Sequence, residues 1–189
     1  MKIACLTVLK QNGEAEPFLL GSATDLSNFG YFQRSAVKEL LLFVSRTVAK
    51  RTQAGQRQTV EHEEYLCHAF NKQGLVGACF VDKQYPMRSA FCVVNKVLED
   101  YLQQVPDWQA LSADDTQGNE LLQQALAKYQ DPEEADKLLR IQKDLDETKV
   151  ILHKTIDSVL ARGEKLDSLV DTSSDLSMAS QKFSKPAKQ

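Results

Sequence analysis

Residues 159–166 read VLARGEKL, and they place a cation where a greasy residue is due. Val159 and Leu166 are seven apart, with Arg162 three after the first and four before the second. Steps of three and four fill one stripe of a helix. Continued outward, the same steps pass through Leu138, Ile141, Leu145, Thr148, Leu152, Thr155, Val159, Arg162, Leu166, Leu169, Ser173, Leu176, Ser180, Phe183 and Ala187. Ten of these fifteen are apolar, the mean step is 3.5, and Arg162 is the one charged member. A period of 3.5 is that of a coiled coil. Lys143, Asp144, Asp146, Glu147, Lys149, Glu164, Lys165 and Asp167 fall on the other faces.

An amphipathic helix of this length needs partners. It can fold back on its own domain. It can pair with a second copy, the arginine setting register at a cost in stability. It can also join a hetero-bundle. The third option suits the arginine best, because a buried guanidinium has five donors and needs acceptors. Neutral carbonyls from partner helices would meet that need.

The helix begins at a clear signal. In "YQDPEEAD" (129–136), Asp131 is a good N-cap and Pro132 fits the first helical position. Glu133 and Glu134 suit the positive first turn. No strong breaker follows until Pro186. The expectation is one helix of about 50 residues, ~75 Å long, too long for the core of a small domain.

Composition changes across that boundary. Seven of eight glycines lie at or before residue 118, and seven of eight phenylalanines at or before residue 91. In the first part, "IACLTVLK" (3–10) reads as a strand buried on both faces. "PFLLGSA" (17–23) is a second strand, with Pro17 at its start. "QRQTVEHE", "EYLCHAFN" and "LVGACFVD" are three more, the last two joined by a hairpin turn at 71–74. Ser35 is the expected N-cap of a helix to Arg51, with Val37, Leu40, Leu41, Val44 and Val48 on one side. Residues 88–103 return to helical period through Phe91, Val94, Leu98 and Tyr101. A shorter helix spans 119–129, with Asn119 as its expected cap. The order β-β-α-β-β-β-α-α argues an α+β domain, a mostly antiparallel five-stranded sheet flanked by helices.

Other function classes find little support. The net charge of −3 argues against a nucleic-acid footprint. Cys5, Cys67, Cys79 and Cys92 form no CxxC and sit in apolar stretches, as buried free thiols do. His62, His68 and His153 share no ligand spacing with them, so no metal site is expected. The longest apolar run, "LLLFV" at 40–44, is far short of the roughly 20 residues of a membrane span. No phosphate loop or nucleophile elbow occurs, and "EHEE" (61–64) reads as a solvated strand end rather than an acid–base cluster. No cofactor and no covalent chemistry are expected. The rival reading is a structural homodimeric coiled coil carrying a small-molecule-binding α+β domain.

The stretch "DLDETKVILHKTIDSVLARGEKLDSLV" (144–170) resembles the SNARE motif of the R class. Residues 1–130 resemble a longin domain, which is profilin-like, and 131–189 the R-SNARE motif. The whole chain is similar to the lipid-anchored synaptobrevin homologues of the YKT family, above all at "FGYFQRSAVKE", "RTQAGQRQ", "YPMRSAF" and "LDETKVILHKTI". The resemblance implies that Arg162 is the ionic central layer of a parallel four-helix bundle. Three glutamines would meet it, one from each of the Qa, Qb and Qc SNARE helices. The other fourteen stripe residues become hydrophobic layers, and zippering would drive vesicle–membrane fusion. It further implies that Phe43 belongs to an apolar longin groove able to hold the folded-back SNARE segment or a lipid chain. The longin domain then serves as an autoinhibitory and targeting module.

Family members end in a Cys-Cys-aliphatic box bearing prenyl and palmitoyl groups. This chain has no cysteine after Cys92 and stops at Gln189, so that box is expected beyond it. The expected location is the cytoplasm, cycling to the cytosolic face of Golgi, endosomal and vacuolar membranes. Pro186 departs from the pattern: a helix-interior proline costs about 3 kcal/mol, so zippering is expected to stop short of Ala187.

Overall fold

The computed structural model describes residues 1–142 and 150–160. One hairpin and one three-stranded meander supply most of the sheet. Strands β1 (Ile3–Asn12) and β2 (Ala15–Thr24) turn at Gly13, whose φ of 59° is open to glycine without strain. Strands β3 (Arg57–His62), β4 (Tyr65–Lys72) and β5 (Leu75–Asp82) form an antiparallel meander. β1 pairs antiparallel with β5, so the two halves meet at the centre, where β1 is almost fully buried.

Helix α1 (Arg34–Arg51) covers one face of the sheet, packing Val37, Leu40, Leu41, Val44 and Val48 against Cys5, Leu9, Cys67 and Phe80. Helices α2 (Met87–Gln104) and α3 (Asn119–Tyr129) cover the other, over Leu6, Val8, Leu20, Cys79 and Val81. Gly77 permits the close approach of α2: a Cβ there would lie 2.8 Å from Val94 Cγ1. All four cysteines are buried free thiols, as the apolar setting of each implies.

Two expected caps are displaced. A 3-10 turn at Tyr31–Gln33, closed by Gln33 N donating to the Gly30 carbonyl at 2.8 Å, feeds the chain into α1 at Arg34. Ser35 therefore lies inside the helix and caps nothing. Asn119 opens α3 after Gly118, and its side chain accepts from Ser22 N at 2.9 Å. It satisfies a strand edge rather than a helix end.

The edge of β2 is covered by the loop before α3. Leu19 N donates to Asp114 Oδ1 at 2.9 Å, and the Leu19 carbonyl accepts from Asp115 N at 2.8 Å. Edges left bare are pairing templates, so such cover has a purpose. The opposite edge, β3, is covered in another way, and here the described residues depart from the expected single continuous helix.

Asp131 does cap helix α4 (Pro132–Ile141), accepting from Glu133 N at 2.9 Å with Pro132 in the first turn. Yet α4 ends at Ile141. The chain returns as strand β6 (Val150–His153), parallel to β3 with Arg57 opposite Val150 and Val60 opposite His153. The sheet is thus six-stranded and mixed, in the order β2-β1-β5-β4-β3-β6, rather than five-stranded and antiparallel. The physical reason lies in composition. Val150, Ile151, Thr155 and Ile156 are β-branched residues crowded into a heptad pattern, and such residues sit well in strands and lose rotamer freedom in helices.

Candidate functional site: the seat of the C-terminal segment

The site is the junction of β3, α1 and residues 150–160. β6 satisfies the β3 edge, then Lys154 and Thr155 carry the chain into a 3-10 turn at Ile156–Val159. That turn is held by Ser158 N donating to the Thr155 carbonyl at 3.2 Å. It drives Ile156 and Val159 into the core shared by α1 and the sheet, where they are 3% and 4% exposed. Full burial of a Val or Ile side chain is worth about 1.5–3 kcal/mol, so the pair is a substantial anchor. Leu160 is half-buried against the same core. At the rim, Lys154 Nζ lies 3.6 Å from Glu61 Oε1, an exposed lysine on a half-buried carboxylate, worth little in stability. Glu61 thereby takes part of the "EHEE" stretch into this contact.

Phe43 is half-buried and packs against the cluster that contains Ile156 and Val159. Of the stripe residues, Leu138 is buried against the α2 side, whereas Ile141 and Leu152 are 78% and 49% exposed and Thr155 is exposed. Leu145, Thr148, Arg162, Leu166, Leu169, Ser173, Leu176, Ser180, Phe183 and Ala187 lie outside the described residues. Ile156, Leu160 and Lys154 are contributors that the stripe did not name. The β-branched residues between 150 and 156 are the signal for Ile156.

The buried titratable groups of the domain are structural. His68 on β4 is fully buried, with Nδ1 2.8 Å from Thr59 Oγ1. Burial lowers its pKa to about 4, which keeps the ring neutral. Burial also pushes the Cys5 thiol up to about 12 and Cys92 up to about 11, so neither is a ready nucleophile. What the arrangement does is hold a chain segment.

The domain thus carries a segment of its own chain on the sheet edge. Comparison with known proteins makes the class specific. The family model of the longin, or regulated-SNARE-like, domain matches residues 26–126, and that of synaptobrevin matches residues 137–189. The chain is 59% identical over 191 residues to the VAMP-like protein YKT61 of Arabidopsis thaliana, covering all of this chain and 96% of the relative. It is 43% identical over 197 residues to the synaptobrevin homologue YKT6 of Saccharomyces cerevisiae, and 45% over 190 residues to that of Schizosaccharomyces pombe. Each of these comparisons likewise covers all of this chain and 96% of the relative. The chain belongs to the YKT synaptobrevin homologues, the longin-bearing R-SNAREs of vesicle fusion.

No helix among the described residues is long and apolar enough to cross a membrane.

Proposed function

We propose that this R-SNARE is gated by its own longin domain. One observation carries the reading: β6 and the turn after it, part of the SNARE stretch, are seated on the sheet edge and in the α1 core. A segment that is a strand in one state cannot be a bundle helix at the same time. Release of residues 150–160 must therefore precede zippering through them.

On release, the stripe folds against Qa, Qb and Qc helices, and ordering entropy is met only then. Arg162 forms the ionic layer with three partner glutamines, and Leu145, Thr148, Leu152, Thr155, Val159, Leu166, Leu169, Ser173, Leu176, Ser180 and Phe183 stack on either side. Leu138 and Ile141, on α4 itself, start the bundle. Covalent prenyl and palmitoyl groups hold the protein to Golgi, endosomal and vacuolar membranes. Bundle formation then draws two membranes together.

The test mixes the chain with three purified Q-SNARE motifs, following helical signal and complex size. A four-component complex with gain of helix is expected. Arg162→Ala leaves the glutamines unpaired and lowers the thermal stability of the bundle, by a cost of about 1–3 kcal/mol for the buried groups left unsatisfied. A bundle of equal stability without the arginine sinks the ionic-layer reading.

A further inference from the structure

Residues 150–160 are read with two periods. A bundle helix selects Leu152, Thr155 and Val159 by steps of three and four. The folded-back backbone, extended over 150–153 and 3-10 over 156–159, selects a different set. It buries Ile156 and Val159 and leaves Leu152 and Thr155 outside. Ile156 lies one residue past the seam position Thr155, and Lys154 one before it. Leu160, half-buried in the closed form, is one past Val159.

We propose that this stretch carries two separable sets of contacts: Ile156 is a latch used in the closed state, Leu152 serves the bundle, and Val159 serves both. The proposal rests on the gated R-SNARE reading above and deepens it by naming the residue through which gating is set. The geometry gives the reason. A strand or a 3-10 turn aims side chains with periods of two or three, a coiled coil with 3.5, so the buried sets coincide only where the periods fall into step. Within 150–160 they do so at Val159. Beside the seam in a bundle, Ile156 contributes little that a polar residue does not. In the closed form it is a fully packed core side chain. The strength of the closed state can then be changed at Ile156 without changing the strength of the fusion bundle. Glu61 and Lys154 offer a second handle of the same kind, since neither is on the stripe.

The experiment uses the full chain with Ile156→Ser, Leu152→Ser and Val159→Ser, each examined two ways. Hydrogen exchange at the β3 amides reads opening, and thermal melting of the complex with three Q-SNARE motifs reads bundle strength. Ile156→Ser is expected to raise the open population by more than about tenfold, as large-to-small core changes do. It should also speed assembly and leave the melting temperature of the bundle unchanged. Leu152→Ser gives the reverse pattern, and Val159→Ser moves both readouts. Unchanged exchange at the central β1 and β5 amides separates opening from general unfolding. Lys154→Glu, which sets two carboxylates against each other, opens the chain by a smaller factor without touching the core. The inference is overturned if Leu152→Ser opens the chain as far as Ile156→Ser, or if Ile156→Ser weakens the bundle as much as Val159→Ser. A different failure marks the underlying reading: an Ile156→Ser chain, open by exchange, that forms no complex with the Q-SNARE motifs.

Discussion

At the scale of single residues, Phe43 and His68 sit on opposite sides of the gating question. Phe43 is half-buried on α1 against the cluster that receives Ile156 and Val159. A carboxylate there is expected to weaken the seat while leaving the rest of α1 in place. Phe43→Glu should speed cleavage of residues 142–160 by a protease severalfold. Unchanged cleavage would count against α1 as part of the seat. His68 governs the domain itself. Its pKa, lowered to about 4 by burial, lies below the unfolded value near 6.5. The unfolded chain therefore binds the extra proton, and the stability from a neutral His68 is complete above about pH 6.5 and lost as pH falls toward 4. The full shift amounts to roughly 3 kcal/mol at most. Urea midpoints between pH 4.5 and 7 should flatten in His68→Gln, and an equal slope in both proteins would remove His68 from the acid response.

At the scale of elements, the two sheet edges are finished by different means. β2 is closed by Asp114 and the loop around it. Arg46 Nη2 donates to Asp114 Oδ2 at 2.7 Å, Arg46 Nη1 donates to the Pro17 carbonyl at 2.7 Å, and the guanidinium holds the Asp114 carboxyl below the usual carboxylate range. Asp114→Ala is expected to cost about 1 kcal/mol, since the Leu19 amide keeps access to water. A shift in the urea midpoint without a change in slope checks this. The strands β1 to β5 and the helices α1 and α2 were legible because apolar runs and helical period agreed with their burial. Strand β6 was not. Leu152, Thr155 and Val159 satisfy the heptad count as well as any coiled coil, and that count outweighed Val150, Ile151, Thr155 and Ile156. Both signals are present in the letters, because the same letters must serve a helix and a strand. Ser35 and Asn119 misled for a simpler reason. Each is a good cap by type, but a 3-10 turn had already begun before one, and the Ser22 amide claimed the side chain of the other.

At the scale of the whole molecule, the family was legible in the stretch that carries the stripe and its central arginine. The resting partner was legible only as one of several options. Which face of the domain receives the segment depends on a sheet edge, and an edge belongs to topology rather than to any short stretch of sequence. The pairing of β6 with β3 has one more consequence. When the segment departs, the β3 backbone from Arg57 to Val60 loses its neighbour, and the polar groups it shared turn to water or to the next chain they meet. An opened molecule is thus sticky in proportion to its crowding. On the gated reading proposed above, the closed form would keep this SNARE dispersed as well as silent, and its open form is expected to be short-lived wherever partner helices are scarce.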